Sequence, residues 1–366
     1  MQTLITNRIK QSPERRITYA EFMSLALYDS KKGYYMKNRQ KVGKAGDFYT
    51  SSHVNPVFAK VFAKTFLKIF TENNLPFQLC EIGGGTGKFA FEVLQEIGNI
   101  APEIYQKLTY FLIEESPYHR DCQQALLHNY PRVKIFSSLD EMQQLSPYFS
   151  GIIYSNELLD AFPVHVVEIR NGQLYEVFVT VDANGQLCEQ IDLCSNLRIE
   201  KWLSHFGPPL SNGQRIEVPL NMNNWLENVA NWLDNAFIFT VDYGYSKADW
   251  TEPERKNGSL RGDYQHQLIT NPLLYPGEMD LTSHIHLDAL TECGESLGLT
   301  TLYQLSQKEF LLQEGILTYL QDHFDPDPFS QTSRQNRAIR SFILNEGLAN
   351  SFTVTLQAKT NPKEKN

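Results

Sequence analysis

Leu79-Cys80-Glu81-Ile82-Gly83-Gly84-Gly85-Thr86-Gly87-Lys88 runs from a short apolar strand through four glycines into a helix that reads on to Ile97. Glycines at such a turn let the backbone approach a ligand closely, and the helix that follows offers free N–H groups. Three glycine patterns compete for it. A phosphate-cradling GxxxxGK[ST] loop fits only at Gly87-Lys88, because Ile82 stands at its first glycine and Phe89 replaces the magnesium-binding hydroxyl. A dinucleotide GxGxxG begun at Gly83 fails at Lys88, but one begun at Gly85 gives Gly85, Gly87 and Ala90, a permitted GxGxxA, so spacing leaves that reading open. The third pattern is acidic-x-Gly-x-Gly-x-Gly, carried by Glu81, Gly83, Gly85 and Gly87.

Downstream the pattern alternates strand and helix. Lys107–Glu114 and Val133–Phe136 read as strands around a helix over Tyr118–His128, and Gly151–Ser155 reads as a further strand. Such a βαβαβ rhythm specifies a parallel, doubly wound sheet with helices on both faces. The second strand ends in Glu114-Glu115-Ser116-Pro117, about thirty residues after the turn, where an acidic side chain can accept both ribose hydroxyls of a nucleoside. Glu114 directly follows the apolar run and is the first choice, with Glu115 the alternative. The third glycine pattern and this acid together resemble the first motifs of class I S-adenosylmethionine methyltransferases.

Working outward, Thr18 and Glu21 form a capping-box pair for a helix through Leu27, and Pro56 opens an apolar helix through Phe70. Residues 1–75 are expected to form a helical cap. Residues 76–162 are expected to form the first part of the α/β core. Residues 163–230 read as a β-rich insertion, punctuated by the hairpin signals Asn171-Gly172 and Asn184-Gly185. Residues 231–366 complete the core with a strand at Ala236–Tyr243, a long polar segment over 249–286 expected to be a substrate loop, and helices over Phe310–Asp322 and Gln331–Leu344.

The 366 residues carry 33 Lys/Arg against 42 Asp/Glu, a net charge of −9, which argues against a broad nucleic-acid surface. The charge is uneven, +6 over residues 1–50 and −15 over the rest, so a cationic partner suits the acidic body. No apolar run approaches the ~18 residues of a membrane span. The five cysteines are scattered without a CxxC, which favours reduced thiols, a cytoplasmic setting and no zinc site. His284-x-His286 lacks a third ligand for a metal. A homodimer is left open by the sequence.

Seven blocks stand in a recognisable order: Phe22-Met23 through Tyr28 with Gly33-Tyr34-Tyr35 and Gly46-Asp47-Phe48-Tyr49-Thr50-Ser51; the Glu81–Gly87 turn; Glu114-Glu115-Ser116-Pro117; Ser155-Asn156-Glu157-Leu158-Leu159-Asp160-Ala161-Phe162-Pro163-Val164; Val241-Asp242-Tyr243-Gly244; Gly258-Ser259-Leu260-Arg261 with His266; and Pro276-Gly277-Glu278 before Asp280-Leu281-Thr282-Ser283-His284. From about Ile17 to Phe310 the chain thereby resembles the MidA-like class I methyltransferases, bacterial relatives of the mitochondrial complex I assembly arginine methyltransferase. It departs from them at His53, at the displaced Tyr264 and around Gly347. The resemblance implies an α/β fold, a Rossmann-like class I methyltransferase sheet with an N-terminal helical cap and a β-rich insertion. It implies S-adenosyl-L-methionine as cofactor, held by Glu81, Gly83, Gly85, Gly87, Glu114 and Ser116, with Asp47, Thr50 and Asn156 at the methionine end. Asn156, Glu157 and Asp160 follow a strand at the sheet edge where ligands bind, so they are the catalytic candidates, with Arg261 and His266 from the polar segment. The resemblance implies a protein arginine as the expected substrate, on a respiratory-complex subunit or another basic protein, and carboxylates that can pair with a guanidinium and help it lose a proton suit that reading. A small-molecule acceptor, or an assembly factor that binds the cofactor with little catalysis, are the competing expectations.

Overall fold

The computed structural model describes residues 1–41, 55–322, 327, 329–344 and 352–360. The chain divides into two compact units.

One unit comprises residues 49–158, 230–243 and 298–366. Its sheet strands are β1 (Gln78–Ile82), β2 (Thr109–Ile113), β3 (Val133–Phe136), β4 (Phe149–Asn156), β5 (Leu233–Tyr245), β6 (Thr300–Ser306) and β7 (Phe352–Lys359). Their order is β6-β7-β5-β4-β1-β2-β3. β3, β2, β1, β4 and β5 run parallel, and β7 alone runs antiparallel to its neighbours β5 and β6. Order reverses between β1 and β4, the switch point where a doubly wound sheet opens a crevice beyond its carboxyl edge. The strands expected from the sequence and the doubly wound sheet are therefore present.

Helices α1 (Pro56–Glu72), α2 (Lys88–Ile100) and α3 (Pro117–Leu127) follow from local signals. Pro56 sits in the first turn of α1, where its missing N–H costs nothing, and the Asn55 side chain accepts from Val57 N–H. The buried face of α1 carries Phe58, Phe62, Phe66 and Phe70. Phe62 and Phe66 meet Tyr154 and Phe239 of the sheet edge to face. Phe89 stacks on Tyr154 with centroids 4.3 Å apart. This aromatic layer explains a difference from the expected organisation: Pro56–Glu72 falls within the expected cap, but its apolar stripe is buried against the parallel sheet. The helix expected over Phe310–Asp322 also differs. It ends at Gln313, and Gly315 at φ +82 starts a separate single turn over Ile316–Tyr319.

The other unit gathers residues 1–48, 159–229 and 244–297. In the stretch expected to be β-rich, His165–Arg170, Gln173–Val181, Leu187–Leu193 and Arg215–Val218 pair antiparallel, joined by Ile17–Thr18. Asn171 and Gly172 both have positive φ, as a two-residue hairpin turn requires. The helix Tyr19–Tyr28 packs Tyr19, Phe22, Met23, Ala26 and Leu27 into the unit's core, and Thr18 caps it by accepting from Glu21 N–H at 3.1 Å. Residues 249–286, expected as one long loop of the core, belong to this unit instead and are partly structured. Gln267–Ile269, Arg261–Tyr264 and Asp280–Thr282 form a three-stranded antiparallel sheet. Its apolar side, Met279 and Leu281, enters the same core as Phe22 and Leu27. A polar composition hides these short strands, because Asp280 and Thr282 are buried although their side chains are polar.

Candidate functional site

The glycine turn forms in the first unit at the carboxyl edge of β1. Gly83, Gly85 and Gly87 have φ of +75, +52 and +80, values that L side chains rarely adopt. Gly84 is constrained by space instead, because a Cβ there would stand 2.6 Å from a Leu112 methyl. The turn is closed by Gly83 N–H donating to Ile113 O at 2.8 Å and Gly87 N–H donating to Gly84 O at 2.9 Å.

Two carboxylates hold it from different sides. Glu81 is buried beneath Gly84 and accepts from the Tyr110 hydroxyl at 2.7 Å. Burial raises the Glu81 carboxyl to about 8, the nearby Glu114 charge adds to this, and the Tyr110 hydrogen bond opposes it. Glu114, at the end of β2, accepts Gly85 N–H through Oε2 at 2.9 Å and Ser116 N–H through Oε1 at 2.8 Å. Arg120 donates to the Glu114 and Glu115 carbonyls, each at 2.7 Å, and so pins the segment. Gln123 donates to Gly85 O at 2.8 Å, and His119 Nδ1 lies 3.7 Å from Glu114 Oε2. Tyr110, His119 and Gln123 are not among the sequence candidates. No local pattern marks them, since each acts through a neighbouring strand or turn.

These residues fit a nucleoside cofactor. A Cβ built on Gly85 would meet nothing within 4 Å, so the backbone there is open to a ligand. Gly87, the N-cap of α2, makes no side-chain cap hydrogen bond, and a helix N-terminus favours an anionic or polar ligand group. His119 Nε2 and Gln123 Oε1 are buried with no hydrogen-bond partner among the described residues.

Beside the turn, β4 ends at Asn156, and Glu157 follows. Asn156 Nδ2 donates to Glu157 Oε1 at 2.9 Å, and Glu157 N–H donates to Val241 O at 2.9 Å. Glu157 takes φ +51, an uncommon conformation for a residue with a Cβ and one that gathers at functional sites. The next residue, Leu158, touches the turn: its Cδ1 lies 2.9 Å from where a Gly83 Cβ would stand.

A model of an S-adenosyl-L-methionine-dependent methyltransferase family matches residues 59–305, more than half of the chain. The chain belongs to this methyltransferase family. Over 325 residues it is 26% identical to the mouse protein arginine methyltransferase NDUFAF7, covering 82% of this chain and 71% of that one. The corresponding cattle protein is 29% identical over 325 residues, covering 82% and 70%. A COG1565 superfamily structure from Burkholderia thailandensis, bound to S-adenosyl-homocysteine, superposes with a TM-score of 0.86 at 25% identity over 98% of this chain and 91% of that one. The methyltransferase's cofactor is S-adenosyl-L-methionine, in line with the glycine turn and the acid ending β2.

The methyltransferase's other candidates fall in the second unit. Asp160 is buried, and its carbonyl accepts Ser283 N–H at 2.9 Å. The Tyr28 hydroxyl donates to Ala161 O at 2.9 Å, and the Tyr35 hydroxyl donates to Asp280 Oδ1 at 2.6 Å. Tyr28 and Tyr35 stack with centroids 5.6 Å apart. Arg261 pairs across the small sheet with Thr282, and its Nη1 lies 3.5 Å from His284 Nδ1. His266 lies at a turn of the small sheet. With Gln265 it forms the exposed turn between Arg261–Tyr264 and Gln267–Ile269, both residues at positive φ. Hairpin geometry accounts for its position. Asp47 and Thr50 lie outside the described residues.

The Gly258–Arg261 block is explained by a residue that no sequence pattern singles out. Glu217 is buried and accepts from Ser259 N–H and Ser259 Oγ at 3.0 Å and from Leu260 N–H at 3.1 Å. A Cβ at Gly258, whose φ is +76, would collide with Glu217 Oε1. His284 stacks on Tyr245 and His286 on Trp250. Burial lowers them to about 3 and about 4, with Arg261 and Arg255 adding to the effect on His284. Both imidazoles are therefore neutral aromatic packing elements near pH 7.

Proposed function

We propose that this methyltransferase acts on an arginine side chain of a protein. The observation that carries the reading is Glu157, a carboxylate held at φ +51 beside the glycine turn by Asn156 and Val241. S-Adenosylmethionine, when bound, supplies an electrophilic methyl group. In this reading Gly85, the first turn of α2 and Glu114 hold the cofactor. A guanidinium is cationic before and after it gains a methyl group, so it must release a proton. Glu157 supplies the acceptor for that proton and a planar, bidentate partner for the remaining N–H groups. The names of the mouse and cattle relatives support the same acceptor. The −15 charge beyond residue 50 suits a basic protein, such as a basic respiratory-complex subunit. A cytoplasmic setting is proposed with it on the scattered thiols alone.

The test has two parts. Incubation with methyl-labelled S-adenosylmethionine and a cell extract, followed by protein hydrolysis, should release labelled methylarginine. Label only in small molecules would reject the reading. Glu157→Gln should hold S-adenosylmethionine within about twofold of wild type by calorimetry while turnover falls about 10²–10⁴-fold. Near-normal turnover would remove Glu157 from the reaction.

A further inference from the structure

Four sequence blocks that lie far apart in the chain converge inside the second unit. The first contributes the stacked Tyr28 and Tyr35, the fourth Asp160, the sixth Arg261 and the seventh Asp280 and Thr282. In the small sheet Arg261 stands opposite Thr282 and Asp263 opposite Asp280. Directly opposed residues share a face, and so do residues two apart, so these four side chains project to one side. Gly262 and Leu281 project to the other, and Leu281 lies in the hydrophobic core. The small sheet thus gathers acids on one face while its reverse is packed.

Asp160 and Asp280 are both buried, 4% and 3% exposed. Tyr35 supplies one hydroxyl donor to Asp280, and Leu281 N–H a second at 2.9 Å. Burial raises the Asp280 carboxyl to about 8, with the Tyr35 hydrogen bond opposing and the neighbouring Asp160 and Asp263 charges adding to the rise. Thr282, 4% exposed and on the same face two residues on, has a buried Oγ1 with no hydrogen-bond partner among the described residues. Its hydroxyl is an orphan of the kind a ligand satisfies. Arg261 adds a positive charge to this face, its guanidinium lying beside His284 Nδ1.

Resting on the arginine reading above, we infer that Asp160, Asp280 and Thr282, beside the Tyr28–Tyr35 stack, receive a second basic side chain of the substrate protein, distinct from the arginine that is methylated. Carboxylates take the guanidinium edge in paired hydrogen bonds, a tyrosine ring takes its flat face, and Thr282 Oγ1 accepts one N–H. Asp280 and Thr282 are then specificity-determining residues, and Tyr35 positions Asp280.

The probe is N-acetyl-arginine methylamide, with the uncharged N-acetyl-citrulline methylamide of the same shape as its control, titrated into the full-length chain. Wild type should bind the arginine probe saturably and at least tenfold more tightly than the citrulline probe. Asp280→Asn and Thr282→Val should each weaken the arginine probe about tenfold, and Tyr35→Phe severalfold, with S-adenosylmethionine affinity unchanged. Where Asp280→Asn does not fold, Thr282→Val and Tyr35→Phe carry the test. Equal binding of the two probes, variants that bind like wild type, or no saturable binding of the arginine probe would each overturn the assignment. Failure of the arginine reading shows elsewhere, as wild-type protein that yields no methylarginine. Methylarginine made by Asp280→Asn with an unchanged KM sinks the receptor alone.

Discussion

Each unit holds a buried carboxylic acid that accepts from a tyrosine hydroxyl and is raised far above its usual value. Glu81 meets Tyr110 at 2.7 Å in the sheet unit, and Asp280 meets Tyr35 at 2.6 Å in the other. Burial lifts both to about 8. What surrounds them differs. Glu81 sits beneath Gly84, where it supports a turn. Asp280 shares its face with the cross-strand Asp263 and lies close to Asp160, beside the orphan Thr282 hydroxyl. The same pair is therefore a strut in one place and half of a charge receptor in the other. A buried acid reports function through its neighbours, not through its own perturbation.

The largest effect that separates the units is expected at Gly85. Asp tolerates the left-handed backbone better than most residues, so Gly85→Asp at φ +52 should fold with a cost of about 1–2 kcal/mol. Its carboxylate would stand beside Glu114, which already accepts Gly85 N–H, in the space left open for the cofactor. Calorimetry should show S-adenosylmethionine affinity reduced at least about 100-fold, near 3 kcal/mol. Binding of the arginine probe should be unchanged, because its residues belong to the other unit. Retained cofactor binding would mean that the turn is not the cofactor's seat.

Gly258→Ala is the converse. The added methyl displaces the Glu217 carboxylate from Ser259 and Leu260, leaving buried N–H groups unpaired in a segment that leads into Arg261. A loss of about 2–4 kcal/mol in denaturant unfolding is expected, together with weaker binding of the arginine probe. Cofactor affinity should hold. A variant as stable as wild type would show that the Glu217 anchor is dispensable.

The contrast also explains what can be read from the chain. The sheet unit is legible because its information is local: an apolar run, a glycine turn, then an amphipathic helix specify β1, the turn and α2 with little help from elsewhere. Glu114 and Glu157 stand out because each directly follows a strand. Like the sheet unit, the other unit is drawn from three stretches of chain. Its key bonds join Tyr35 to Asp280 and Glu217 to Ser259, across separations that no periodicity records. The block holding Asp280 and Thr282 is visible in the sequence, but the small sheet that puts them on one face is not. Block and position point to His266, and only pairing register reveals it as a hairpin turn residue.

The smallest expected effect is the most discriminating. Glu81 and Asp280 have usual values of 4.5 and 3.8 and are raised to about 8. Between those limits the folded chain binds protons that the unfolded chain does not, so each acid's contribution is full below its usual value and lost as pH rises through about 8. His284 and His286, lowered from 6.5, act in the opposite sense and only below that value. Above it, the melting temperature should fall with pH on account of the two acids. Glu81→Gln and Asp280→Asn should each remove about half of that slope, and the double variant should flatten it. Saturating arginine probe should then act as Asp280→Asn does, because a bound cation favours the ionised acid, and should leave the Glu81 share in place. If the probe instead abolishes the slope of Asp280→Asn, it is acting on Glu81, and the division into strut and receptor is drawn in the wrong place.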